Sequence, residues 1–283
     1  MQTRKIEKWD GQYSQLSKGD VDPFRYPENV RDRLVTDGFA RLSGSLFDIE
    51  SETLEAFNAL VESFDDLPID ENDETGRRRR RYGRYVLIPW TGKIESIPSI
   101  RGPDGAPFVE YYQPVGLNQV DGGRRRPFTP LHPAVRTNMA LADLIRFDFR
   151  QLPVPKSWEG VPVLVGVHQV VLSPEWMRPS VSSPNCLHRD GEPYTFVHLI
   201  RRENIAGGEN YVTAPECAGI HPKELDQNKI LARFTLERTL DSFVVDDQMV
   251  AHYVDEVYPI FQNKISRRAV FLIDFTPMVP QFV

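Results

Sequence analysis

The sequence predicts a mainly β chain with flanking helices, its C-terminal half folded as a β-sandwich or jelly roll. Three observations carry this. After Pro155 the chain breaks into seven short strand-like runs (161–172, 194–200, 209–213, 231–240, 242–246, 250–254 and 269–275), each bounded by Pro, Gly, Asn or Asp clusters. Short strands with turn signals between them suit two packed sheets. Ahead of Pro155, apolar residues instead recur at helical spacing in two segments, with one strand-like run between them.

Taken in order, Ser51 is placed to cap a helix with Leu54, Phe57, Val61 and Phe64 on its apolar stripe. An acidic block from Asp65 to Glu74 is followed at once by Arg77 to Arg81. Tyr85 to Trp90 reads as a short strand ended by proline. Residues 102–107 are rich in Gly and Pro and read as a loop, and Gly122-Gly123 as a turn. From Pro133 to about Phe149 a helix is expected, burying Val135, Met139, Ala142, Ile145 and Phe149. Residues 1–283 are read as a single catalytic domain, with a mixed α/β part over 1–155 and a jelly-roll core over 156–283 that holds a metal site.

Composition narrows the function classes. The chain has 283 residues and a net charge of −6, so it has no global electrostatic reason to bind nucleic acid or an anionic membrane. No run approaches the ~18 apolar residues of a membrane span. The charged N-terminus has no apolar signal core. Cys186 and Cys217 do not make a disulfide scaffold, and a reducing compartment is the simpler inference. The expectation is a cytoplasmic protein acting on a small molecule, without nucleic acid or membrane, with a homodimer left open.

The chemistry concentrates at His188-Arg189-Asp190, His252 and Arg268. Residues i and i+2 of an extended segment share a face, so His188 and Asp190 can chelate one metal while Arg189 points away. His252, in a separate strand-like run, supplies a second imidazole. Two histidines and one carboxylate suit mononuclear Fe(II) and leave coordination positions for a co-substrate and O2. His-x-Asp alone is common, and His-Arg-Asp also occurs in kinase catalytic loops. The kinase continuation Leu-x-x-x-Asn and a downstream Asp-Phe-Gly are absent here. Arg268 opens the apolar run ending at Phe275, where burial demands an anionic partner such as a dicarboxylate. Arg267, facing the opposite side, is its rival.

These segments resemble the iron(II)/2-oxoglutarate-dependent dioxygenases, and among them the bacterial free L-amino-acid hydroxylases of the isoleucine 4-hydroxylase kind. The resemblance rests on Tyr112-Gln113 with Asn118, Gly122-Gly123 and Phe128-x-Pro130. It continues through Gly166-Val-His-Gln169, His188-Arg-Asp-Gly191 and Asn204-Ile-Ala-Gly-Gly-Glu209, and ends with His252 and Pro259 and with Arg268 before Phe275. It covers roughly residues 78 to 277. Asn210 departs from it, since a small hydroxyl residue is expected there.

The resemblance implies a double-stranded β-helix (jelly-roll, cupin-like) core. It implies Fe(II) held by His188, Asp190 and His252, and 2-oxoglutarate gripped by Arg268. The implied reaction turns 2-oxoglutarate and O2 into succinate and CO2 while a free amino acid, or a close derivative, is hydroxylated at an unactivated carbon. Related halogenases replace the carboxylate ligand with a small residue, so Asp190 favours hydroxylation. Desaturation and ring closure remain open. The alternative is a cupin-like isomerase or metal-binding sensor without 2-oxoglutarate, although such proteins usually carry a denser His-x-His plus Glu cluster.

Other residues have two readings each. The run Arg77 to Arg81, with Tyr82, Arg84 and Tyr85, reads as a nucleic-acid patch, as a partner for the acidic block, or as the source of a pocket arginine for a substrate α-carboxylate. Arg84 is named for that last role. Gln113 and Asn118 read as hydrogen-bonding groups for a polar substrate or as turn and core residues. Tyr194, Phe196 and His198 read as cavity lining or as ordinary core. Cys186 reads as a loop thiol, and His132, His168 and His221 receive no role.

Overall fold

The computed structural model describes residues 30–44, 47, 51–113 and 122–279. In chain order the elements are α1 (Val30–Asp37), β1 (Phe39–Leu42), α2 (Ser51–Glu62), β2 (Arg78–Ile88), β3 (Lys93–Ile97), β4 (Ile100–Arg101), β5 (Pro107–Tyr112), β6 (Arg125–Phe128), α3 (Pro133–Arg136) and α4 (Met139–Gln151). There follow β7 (Val163–Leu172), β8 (Tyr194–Glu203), β9 (Ile205–Gly207), β10 (Glu209–Thr213), β11 (Ile230–Thr235), β12 (Ser242–Asp246), β13 (Ala251–Val254), β14 (Val257–Pro259) and β15 (Arg267–Pro277).

The fold is a jelly roll. Its large sheet runs β1-β12-β8-β15-β7-β2-β3, with every neighbouring pair antiparallel. The facing layer is a three-stranded sheet, β11-β10-β13, with the short pair β14-β9 beside it. Because side chains alternate along a strand, the large sheet has two chemically distinct faces. One face packs Val165, Phe196, Phe271 and Phe275 against residues from α1, α2 and α4. The other packs Val170, Val197, Leu199 and Val270 against Val212 of β10, Phe234 of β11 and Val250. Among the described residues, no helix is long and apolar enough to cross a membrane.

Several elements differ from expectation, each for a local reason. The strand expected over 85–90 begins at Arg78, inside the arginine run, and ends before Pro89. The run survives as strand because each guanidinium has a partner. On one face Arg78 Nε donates to Asp70 at 2.8 Å and Arg80 to His168 Nδ1. On the other, Arg79 and Arg81 donate to the carbonyls of Leu67 and Pro130. The single helix expected over 133–149 is two helices. Asn138 interrupts it, its Oδ1 accepting the amides of Ala140 and Leu141 at 2.9 and 3.3 Å. Met139 is therefore an exposed first-turn residue, and the buried set is Ala140, Leu141, Leu144, Ile145, Phe147 and Phe149. In α2 and just beyond it, Leu60 and Phe64 are buried, Phe57 and Val61 are half-buried, and Leu54 is exposed.

A buried polar cluster ties α4 to the large sheet. His198 of β8 contacts Ser242 Oγ through Nδ1 at 2.7 Å and Asp148 Oδ2 through Nε2 at 2.9 Å. Both the His198 and Asp148 side chains are fully out of solvent. Burial pushes the Asp148 carboxyl up to about 6, against the opposing pull of His198. Removing one member of such a pair leaves the other buried and unsatisfied. Asp148→Ala is expected to destabilise the metal-free protein by about 3 kcal/mol, read as a lowered urea midpoint. A change below about 1 kcal/mol would show the pair to be energetically neutral.

Candidate active site

Between the two sheets lies a cavity. Its floor and walls come from the even-numbered residues of β2, β7 and β15, the odd-numbered residues of β8, and residues of β10, β12 and β13. His188, Asp190 and His252 meet there. His188 and His252 exchange backbone hydrogen bonds, N–H to O=C at 2.9 and 3.0 Å, as a bridge between two extended segments. Their rings lie 4.5 Å apart, centre to centre. Asp190 Oδ1 is 3.7 Å from His188 Nε2, and Asp190 Oδ2 is 3.3 Å from His252 Nε2. One ligand atom from each residue lies within 4.8 Å of the other two.

The surroundings orient this trio. His188 Nδ1 faces the Cys186 carbonyl at 2.9 Å, which calls for the proton on Nδ1 and leaves the Nε2 lone pair toward the cluster. Asp247, buried behind the motif, accepts the backbone N–H groups of Asp190 and Gly191, each at 2.8 Å. Gln113 Nε2 donates to the Asp190 carbonyl at 2.9 Å and to Oδ1 at 3.3 Å, while its Oε1 accepts from Arg126 at 2.6 Å.

Electrostatics match a cation at the centre. Burial works to raise the Asp190 carboxyl, yet the hydrogen bond and charge of His252, with the charge of His188, hold it well below the ordinary range. For His252 burial works downward, but the hydrogen bond and charge of Asp190 leave its imidazolium favoured. Asp247 is pushed up to about 6 by burial and by the Asp190 charge. Two imidazole nitrogens and one carboxylate, with no lysine or arginine paired to Asp190 among the described residues, form a donor set suited to Fe(II).

Arg268 is the second anchor. It is only 3% exposed, and among the described residues its Nε and Nη2 find no partner. Burial, with Arg202 opposite it on β8, pushes its guanidinium down to about 10. This is a buried cation without an anion, in the same cavity as the metal cluster. The neighbouring Arg267 is on the other face, tied to Glu203 and to Asp65, so Arg268 and not Arg267 is available to a dicarboxylate.

The other residues named from sequence fall out differently. Tyr194 does not reach the cavity. It points to the helical face and packs against Trp158, as Phe196 and His198 also turn away. Residues 191–193 bend between Asp190 and β8, with Gly191 at φ 99°; Asp190 and Glu192 both face the cavity, and within β8 the odd-numbered residues do. Thr195 and Val197 line the cavity instead. Arg84 shares a face with Arg78 and Arg80 but lies beyond the cavity, whose arginines are Arg78, Arg80, Arg126 and Arg268. Asn118 lies outside the described residues. Gln113 lines the cavity and is held in the orientation given above. Asn210 also lines it, donating to the Phe234 carbonyl at 3.2 Å while its Oδ1 is unpartnered among the described residues.

Four cavity residues, Arg126, His168, Glu192 and Asp274, escaped the sequence reading, as did Asp247 behind the metal motif. His168 stacks on Tyr82 at 4.1 Å and accepts from Arg80 Nε and Nη2 at 3.2 and 2.8 Å. Burial, then the charges of Arg80 and Arg126, keep it neutral, so Nε2 carries the proton and faces Asp274 Oδ2 at 3.8 Å. Burial and the Asp190 charge push Asp274 up to about 7. Burial, with the charges of Asp274 and Asp190, likewise raises Glu192. Asp274 carried a signal: it is an acid in an apolar strand, six residues from Arg268 and so on the same face.

Known proteins are similar to this chain. The family model described as 2OG-Fe dioxygenase matches residues 61–274. An L-isoleucine-4-hydroxylase of Bacillus thuringiensis is 30% identical over 196 residues, covering 67% of this chain and 73% of that protein. A 3(1)-hydroxy-L-isoleucine 4-dioxygenase of Pantoea ananatis is 26% identical over 212 residues, covering 72% of this chain and 81% of the other. The crystal structure of IDO from Bacillus thuringiensis shares the fold, with a TM-score of 0.66 at 22% identity over 88% of this chain and 94% of that one.

Asp247 fixes the main chain that carries Asp190, so its loss is expected to loosen the metal ligand without removing it. Asp247→Ala should weaken Fe(II) binding about 10- to 100-fold, measured by competition with a chromogenic chelator. An affinity within about threefold of the parent would remove Asp247 from this role.

Proposed function

The chain belongs to the 2OG-Fe dioxygenase family, whose members use Fe(II), 2-oxoglutarate and O2, and we propose that it hydroxylates an unactivated carbon of a free L-amino acid or close derivative while 2-oxoglutarate becomes succinate and CO2. The observation that carries this reading is one cavity holding both the His188–Asp190–His252 cluster and the unpartnered guanidinium of Arg268. The amino-acid substrate is supported by the two curated relatives, named for isoleucine and a hydroxyisoleucine. A family match spanning both halves of the chain supports the single catalytic domain.

In this reading His188, Asp190 and His252 hold the iron. When bound, iron with 2-oxoglutarate and O2 supplies the oxidant that breaks the substrate C–H bond. The chain supplies orientation and exclusion of water. Arg268 takes the distal carboxylate of 2-oxoglutarate as a bidentate partner, which relieves its buried charge. Gln113 and Asp247 hold Asp190 at its angle to the two imidazoles. Val170, Val197, Phe243, Val270 and Leu272 give the cavity an apolar lining that suits an aliphatic carbon chain. Arg80 and Arg126 place guanidinium charge on one wall for a substrate carboxylate, the role that sequence reasoning attached to Arg84. The Asp190 carboxylate occupies the position that halide needs in related halogenases, which favours hydroxylation.

The test is succinate release with Fe(II), ascorbate and 2-oxoglutarate, screened over the twenty amino acids with citrulline and ornithine. At least one aliphatic L-amino acid is expected to stimulate release and to gain one oxygen by mass spectrometry. His188→Ala should abolish this. Arg268→Leu should raise the KM for 2-oxoglutarate about 100-fold, the loss of a buried charge-assisted pair. Full turnover by either variant would remove that residue from its assigned role, and no stimulation by any amino acid would end the substrate reading.

A further inference from the structure

One wall of the cavity has no role in the chemistry above. Glu192, Thr195 and Asp274 line it. Thr195 and Asp274 stand directly opposite each other in the β8–β15 pairing, both on the cavity face. Thr195 is 4% exposed, and among the described residues its Oγ1 has no partner, as is also true of Glu192 Oε2. Asp274 is 6% exposed. Its Oδ1 accepts the Gly166 N–H at 3.2 Å, and His168 Nε2 lies 3.8 Å from its Oδ2. Tyr111 hydrogen-bonds the Glu192 carboxylate. Among the described residues, no lysine or arginine forms an ion pair with Glu192 or Asp274. Arg80, which does face this region, is turned onto His168 Nδ1.

Two carboxyl groups in one cavity, beside the carboxylate of Asp190, are ready acceptors for a cation, and among the described residues neither is ion-paired with a lysine or arginine. A primary ammonium carries three N–H donors, and the wall offers acceptors on three side chains. We propose that Glu192, Thr195 and Asp274 form the subsite for the α-ammonium group of the substrate, with the guanidiniums of Arg80 and Arg126 in the same cavity for its carboxylate. The inference rests on the amino-acid reading above and adds how the amino group is recognised. The substrate then lies as a zwitterion with its ammonium on these three side chains and its side chain among the valines and leucine of the large sheet. N-acylated amino acids and 2-hydroxy acids are rejected, because each would leave the acidic wall without its cation.

Calorimetric titration under argon tests this on enzyme loaded with Fe(II) and 2-oxoglutarate, using L-isoleucine and its 2-hydroxy analogue, 2-hydroxy-3-methylpentanoate. The wild type is expected to bind isoleucine at least about tenfold more tightly than the hydroxy acid, the scale of a charge-assisted hydrogen bond. Asp274→Asn should erase that preference by weakening isoleucine alone. Thr195→Val, which keeps the shape and removes the hydroxyl, should weaken isoleucine about threefold or more and leave the hydroxy acid unchanged. Uptake of 2-oxoglutarate reports that each variant is folded; if Asp274→Asn fails that check, Thr195→Val decides. Equal binding of the two compounds by the wild type, or an undiminished preference in the folded variants, overturns the ammonium subsite while isoleucine binding leaves the amino-acid reading standing. Binding of neither compound by wild type that still takes up 2-oxoglutarate removes the isoleucine-like substrate, and the subsite with it.

Discussion

The alternation of β15 between β7 and β8 is the constraint on which the rest of the molecule depends. Arg268, Val270, Leu272 and Asp274 face the cavity, while Ala269, Phe271, Ile273 and Phe275 face the helices. The pairing with β7 runs without interruption from Arg268 opposite Leu172 to Pro277 opposite Val163. A slip of one residue would send two charged groups into the aromatic layer and four apolar side chains into the site. The packing of Phe64 against Phe271, and of Phe149 and Phe196 against Phe275, is therefore also what aims the arginine and the aspartate. Stability and site geometry are held by the same strand.

The cavity concentrates charge in a setting where charge is costly. Its arginines are handled in different ways. Arg78 is matched within the protein by Asp70, Arg80 leans on a neutral histidine and on the Phe128 ring at 4.3 Å, and Arg268 keeps part of its donor capacity unspent. On the acid side, Asp190 is held by two imidazoles, Gln113 and Asp247, whereas Asp274 has only backbone N–H groups, those of Gly166 and its own residue. The groups best satisfied internally are those that position others. The groups left wanting face open space, where small molecules complete them.

Much of this was legible in the sequence because the relevant signals are local. His188 and Asp190 sit two residues apart, His252 lies in a strand-like run, and Arg268 heads an apolar one, so their chemistry and rough placement could be read without a fold. The C-terminal strands were legible for the same reason, with 209–213 and 242–246 matching the observed limits. What failed was phase across turns and charge inside strands. The bend at residues 191–193 breaks the alternation between Glu192 and Thr195, so Tyr194 faces the helices rather than the cavity. The arginine run kept several readings: its pairing with the acidic block is met by Arg78 and Asp70, whereas His168 becomes the neighbour of Arg80 only once β2 is laid against β7. Asp247 was hidden because its service is to the backbone of a distant segment, a relation that no spacing rule encodes.

Gly166 brings a consequence of another kind. A methyl group at this position would sit 2.2 Å from Asp274 Oδ2, so the carboxylate occupies the volume that a side chain would otherwise take. The two residues lie opposite each other on adjacent strands, so the acid in this position requires a neighbour without a side chain. A bulkier residue at 166 is then expected to go with a neutral, shorter one at 274, and so with a less polar chamber.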